Sequence, residues 1–322
     1  MRILSVFFGS TLISLSAQPQ VTLSSGTSVL FATGVEARAI LVTRDDFVQR
    51  MSPFDRAARM KTQKAVSEEE FLEFAGRNVL EWDDAEKRKL TSALLDIQKQ
   101  PFPLRFPGKV FIVKTTGNEE GKAAYTRANA VILPKAEIDV PMEKLKKTLC
   151  HELFHILSRA NPALQQKLYA SIGFVKCDEI EFPADLKSRK LTNPDAPAND
   201  HCILLKMDGK DAWAIPILFS DAEKYDTTRG GEFFDYLQFQ FLMVERQNKS
   251  PDVKPVYDGG KPRLAGIEQV SGFFEQVGKN TKYIIHPEEI LADNFALLIL
   301  GQGSAPSPEI LKRMRTILQA KP

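Results

Sequence analysis

His151 and His155 stand four residues apart, with Glu152 directly after the first, in the stretch LCHELFHIL. On a helix that spacing is about one turn, so the two imidazoles project the same way and offer two nitrogens to one tetrahedral Zn²⁺. Glu152 sits where it could take a proton from a metal-bound water. With four histidines in 322 residues, an H-E-x-x-H match by chance is expected on the order of 0.003 times. A catalytic zinc needs a third protein ligand and an open position for water. His201, His286, Glu288 and Glu289 are the candidates. In HPEEILADNFALLIL, Glu289, Asp293 and Ala296 share one helical face, and the small Ala292 permits close approach of another helix. A carboxylate ligand with an acid one turn later is sensible, because Asp293 could accept the N–H of a ligand imidazole and fix its tautomer. Cys150 points about 100° away from His151 on the same helix and reads as a core thiol.

The elements that must position these groups are legible around them. PMEKLKKTLCHELFHILSR predicts a long helix burying Leu145, Leu149, Leu153 and Ile156, and NPALQQKLYASIGF predicts another, with Asn161 as cap and Pro162 at its first position. HPEEILADNFALLIL predicts a third, opened by Pro287 and stopped by Gly301. KVFIVKTTG and RANAVILPKAEI read as strands. HCILLKMDGKDAWAIPILF reads as a hairpin turning at Asp208-Gly209, and GEFFDYLQFQFLMVE as a further strand. KLTNPDAPAND is a turn-rich loop long enough to line a cleft. Upstream, residues 18–100 look mainly helical. SEEEFLEFAGRNVLEW opens on a Ser67/Glu70 capping box and carries Phe71, Phe74, Val79 and Trp82 at roughly helical spacing, and DDAEKRKLTSALLDIQKQ follows as a second helix. Pro101, Pro103 and Pro107 mark a boundary to a region spanning 101–322.

HELFH followed much later by E-I-L-A-D resembles the gluzincin class of zinc metallopeptidases. The resemblance covers the two helices and, loosely, the strand before them. It implies a zincin-like α+β region with a small sheet, a zinc helix and a C-terminal ligand helix. It further implies His151, His155 and Glu289 as metal ligands, Glu152 as general base and Asp293 as the acid supporting a ligand histidine. Peptide hydrolysis also needs a donor for the oxyanion. No Tyr or His follows Glu289, so Tyr283, His286, His201 and Tyr225 are the possibilities, with Tyr283 named first for its closeness to the ligand helix. In that class an edge strand beside the active-site helix pairs with substrate, which would bring Asn129 and Ala130 near a peptide; an ordinary sheet edge explains the same residues.

Composition bounds the partners. At 43% hydrophobic and 26% charged the chain is globular in type, and 43 basic against 41 acidic residues, with no dense basic block, disfavour nucleic acid. MRILSVFFGSTLISLSAQPQ has the shape of a secretory signal ending near residue 17, and no later run is apolar enough to span a membrane. In an exported chain Cys177 and Cys202 could pair while Cys150 stays reduced. The expectation is an exported zinc metallopeptidase acting on peptides. Its alternatives are a zinc-dependent hydrolase of non-peptide substrates and a noncatalytic exported zinc-containing binding protein.

Overall fold

The computed structural model describes residues 21–23, 26–99, 102, 104–247, 250–301 and 305–320. The signal-like stretch 1–17 and two of the boundary prolines, Pro101 and Pro103, lie outside the described residues. The chain is α+β. Two short strands, β1 (Val21–Thr22) and β2 (Ser28–Phe31), precede five helices: α1 (Gly34–Leu41), α2 (Asp46–Arg50), α3 (Pro53–Arg59), α4 (Glu68–Arg77) and α5 (Asp84–Ile97). The capping box forms as read: Ser67 Oγ accepts from the Glu70 N–H at 3.1 Å, and the Glu70 carboxylate accepts from the Ser67 N–H at 2.8 Å. That helix stops at Arg77, short of Val79 and Trp82. Val79 instead bridges to Thr115 and the Leu80 N–H donates to Lys114 O, so pairing with a strand outweighs helical periodicity there.

Next come β3 (Lys109–Thr115), β4 (Tyr125–Arg127), β5 (Ala130–Pro134), α6 (Lys135–Ile138), α7 (Met142–Ala160) and α8 (Pro162–Ser171). The first sheet has the order β1-β2-β3-β5-β4. β2, β3 and β5 are parallel, with Phe31 opposite Ile112 and Ile112 opposite Val131, and β4 runs antiparallel to β5 at the edge. This sheet therefore draws strands from both sides of the proline-rich segment. It also corrects the expected edge: Ala130 lies in the internal β5, fully buried, and Asn129 donates to Lys109 O, so the outer strand is Tyr125–Arg127.

The second sheet contains β6 (Phe174–Lys176), β7 (His201–Met207), β8 (Lys210–Ser220), β9 (Leu237–Arg246) and β10 (Val253–Pro255), all antiparallel; the short α9 (Ala184–Lys187) falls between β6 and β7. Asp208 and Gly209 turn the hairpin with φ of 52° and 76°, the left-handed pair that matches strand twist. Short pairings β11 (Tyr257–Asp258) with β12 (Lys261–Pro262) and β13 (Leu264–Ala265) with β9 follow. Then come α10 (Phe273–Val277), α11 (Pro287–Leu300) and α12 (Pro308–Gln319).

One apolar cluster joins Phe31, Ile112 and Val131 of the first sheet, Leu149 and Phe154 of α7, Phe241 of β9 and Phe295 of α11. Each such side chain withdrawn from water contributes about 1.5–3 kcal/mol. The predicted inner face of α7 is buried throughout, from Leu145 to Ile156. Among the described residues no helix is long and apolar enough to cross a membrane. Cys150, Cys177 and Cys202 are unbridged buried thiols, and those of Cys177 and Cys202 lie within hydrogen-bonding reach of each other.

Candidate metal centre

Helix α11 is apolar on nearly every side and is accordingly buried. It carries two glutamates, Glu288 and Glu289, each 1% exposed, into the interior at its first turn. The positive end of the helix and the α7 imidazoles make that tolerable. His286 caps the helix, its Nδ1 accepting the Glu288 N–H at 3.1 Å.

The two helices meet at the histidines. His151 Nε2 lies 2.9 Å from Glu289 Oε2, and His155 Nε2 lies 3.6 Å from the same oxygen. Nitrogen and oxygen atoms of His151, His155 and Glu289 all fall within 4.8 Å of one another, a group able to hold a metal ion. The opposite ring nitrogens are each held by an acid: His151 Nδ1 by Asp293 Oδ1 at 3.2 Å, His155 Nδ1 by Glu288 Oε1 at 3.2 Å. Carboxylates behind both rings turn the Nε2 atoms toward Glu289, an arrangement of the kind that orients imidazoles able to hold a cation and raises their basicity. His155 Nε2 is fully buried with no hydrogen-bond partner, and so is Glu152 Oε2. A buried ring nitrogen 3.6 Å from a carboxylate oxygen and without a hydrogen-bond partner fits a metal ligand, because leaving it unpaired in an ordinary core costs about 1–3 kcal/mol.

The electrostatics point the same way. Five carboxylates, from Glu152, Asp195, Glu288, Glu289 and Asp293, surround two imidazoles. Burial opposes charge on Glu289, but His155, His151 and Asn193 outweigh it and lower its pKa to about 2. Burial also opposes charge on His155, yet Asp195, Glu289 and Glu288 raise it to about 9. Glu152 is pushed up to about 8 by burial first and then by Asp195. The pocket thus favours positive charge, which a divalent cation would supply.

Every residue assigned to the site by the resemblance comes together there. Tyr283 also approaches: it is 40% exposed, its ring centroid is 6.3 Å from that of His151, and partial desolvation with the negative potential of Glu289, Asp195 and Glu152 raises its phenol pKa above the usual value. The other donor candidates go elsewhere. Tyr225 donates to Gly231 O, and His201 Nδ1 lies 2.6 Å from Asp200 Oδ1. Neither His201 nor His286 joins the triad.

Sequence reasoning weighed Glu288 only as a ligand and missed its supporting role. Its second oxygen accepts from Ser158 Oγ at 2.9 Å and Tyr169 OH at 2.5 Å, both buried, so the carboxylate behind His155 is itself locked in place. Ser158 lies seven residues after His151 on the same helical face, a spacing that could have signalled it. Thr281 Oγ1 supports Asp293 in the same way. Two residues of the turn-rich loop, Asn193 and Asp195, were also missed: Asn193 Nδ2 donates to Glu289 Oε1 at 2.6 Å, and Asp195 forms a second acid–imidazole group with Glu152 and His155. Comparison with protein-family models, with curated proteins and with solved structures finds no match.

Proposed function

We propose that the chain is an exported zinc metallopeptidase. The observation that carries this is the pair of Nε2 atoms, one of them buried and unpartnered, converging on a single Glu289 oxygen while acids hold both Nδ1 atoms. Two imidazole nitrogens and one carboxylate oxygen, with a fourth direction left over, are a donor set suited to catalytic zinc. Zinc, when bound, would polarise a carbonyl and lower the pKa of water. Glu152 supplies the base: its unpartnered Oε2 accepts the water proton and returns it to the leaving amine. Tyr283 donates its phenolic proton in a hydrogen bond to the developing oxyanion. A peptide is the substrate that this set of roles suits. The signal-like N-terminus supports export.

One observation favours a second reading, a noncatalytic zinc-holding protein: the acid Asp195 stands beside Glu152. Zinc content after dialysis against a weak chelator, followed by peptide hydrolysis, separates the two. About one zinc per chain in the wild type, its loss in Glu289→Ala, and hydrolysis abolished in Glu152→Gln with zinc retained are the expected results. Zinc held equally by Glu289→Ala would overturn the ligand set. Zinc without any hydrolysis sensitive to Glu152 would favour the binding protein.

A further inference from the structure

In an antiparallel pair, successive residues turn their N–H groups alternately toward the partner and away. Thr126, in the middle of edge strand β4, turns its N–H outward, and the group that meets it is Asp195 Oδ1 at 2.7 Å. Thr126 Oγ1 donates to the same oxygen at 2.5 Å, and Arg159, at the end of α7, donates to Asp195 O at 3.2 Å. Asp195 N–H donates to Asn193 Oδ1 at 3.0 Å, while the amide nitrogen of that Asn193 reaches Glu289. A carboxylate oxygen of Asp195 lies within 4.8 Å of ligand atoms of both Glu152 and His155.

Pro194 and Asp195 line both a cavity of about 480 Å³, which reaches Tyr169, His286 and Glu288, and a small one of about 30 Å³, which reaches Tyr283. Neither is lined by His151, Glu152, His155 or Glu289.

The loop's ends are fastened through backbone groups, and its middle is held through Asn193 and Asp195. Thr192 is gripped through both backbone groups, its N–H by Asp55 at 2.9 Å and its O by Arg59 at 3.1 Å, and Asn199 O accepts from the Ile180 N–H at 3.0 Å. Between these anchors, among the described residues, Pro194, Ala196, Pro197 and Ala198 make no hydrogen bond, so Asn193 and Asp195 alone hold the segment down.

We propose that Asn193–Pro197 is an internal pseudosubstrate: its Asp195 takes the outward N–H of edge strand β4, where a peptide would pair, and sets its carboxylate beside Glu152 and His155. The folded chain is latent until this segment is displaced. The inference rests on the metallopeptidase reading.

The test uses the full zinc-loaded chain as wild type, Asp195→Ala and Asp195→Asn, the last nearly isosteric so that folding is preserved. Three quantities are measured: metal content, affinity for an alkyl hydroxamate that ligates zinc, and the rate of zinc transfer to a chromophoric chelator. Hydrolysis of a quenched fluorescent casein is followed alongside. Hydroxamate binding and zinc transfer are expected to rise tenfold or more in Asp195→Ala and less in Asp195→Asn, with casein hydrolysis rising in parallel. Equal affinity and equal transfer in all three proteins, with zinc retained, would overturn latency and leave the peptidase reading intact. Enhanced hydroxamate binding without any casein hydrolysis would count against the peptidase and overturn the pseudosubstrate with it, leaving only a loop that shields the metal. A wild type that binds no zinc would overturn both.

Discussion

At the residue scale, the site depends on acids held in unusual places, and one acid outside it makes the same physics measurable. Glu119 is 1% exposed, and its Oε2 has no hydrogen-bond partner. Burial is the main cause of its pKa rising to about 7, with the neighbouring Glu120 adding to it and the Thr115 and Tyr125 hydroxyls opposing. In the unfolded chain the group ionises near 4.5. Between those pH values the unfolded chain has released a proton that the folded chain keeps, so stability falls as pH rises through the window, by about 3 kcal/mol at most. Glu119→Gln stays neutral and should remove that fall. Chemical denaturation at pH 5 and pH 7.5 should show the wild type losing more stability than the variant between the two; parallel losses would show that Glu119 titrates normally.

At the scale of elements, α3 reaches into the body of the protein through Arg59, which is 2% exposed. Its guanidinium pairs with Asp55 on its own helix, takes Glu120 through bonds of 2.7 and 3.0 Å, and holds Thr192 O. An N-terminal helix thus fixes the root of the loop that carries Asn193 and Asp195 to the candidate metal centre. Removing the cation would leave two buried carboxylates uncompensated, so Arg59→Ala should cost about 3–5 kcal/mol. A shift below about 1 kcal/mol in urea denaturation would mean that water reaches the cluster. Strand β3 in turn explains why helical spacing misled at Val79: the bridge to Thr115 and the Leu80 N–H bond to Lys114 O were available only once the chain had folded back on itself.

At the scale of the whole molecule, the 18–100 segment is woven into the rest. β2 is the parallel neighbour of β3, and Leu90 and Leu94 of α5 belong to the same core as α7. Deleting residues 18–100 would bare one edge of β3, expose that core face and leave Glu120 buried without Arg59. The 101–322 fragment should therefore show no cooperative thermal transition by circular dichroism, with or without added zinc. A sharp, zinc-dependent transition would show that the C-terminal region folds alone.

The sequence by itself determined what local geometry dictates. Four-residue spacing placed His151 and His155 on one face, Ser67 and Glu70 closed a cap, Asp208-Gly209 turned a hairpin, and Pro287 and Gly301 bounded α11. These follow from neighbours a few residues apart, whose relative positions the backbone sets. A motif resemblance extended the reading to Glu289 and Asp293. Only the tertiary structure decided that Glu288 holds His155, that β4 and not β5 is the edge, and that Asn193 and Asp195 lie over the centre. Those contacts join residues 133 apart for His155 and Glu288, 96 for Asn193 and Glu289, and 69 for Thr126 and Asp195. Over such separations helical or strand periodicity carries no information, and the packing of the whole core sets which side chains meet.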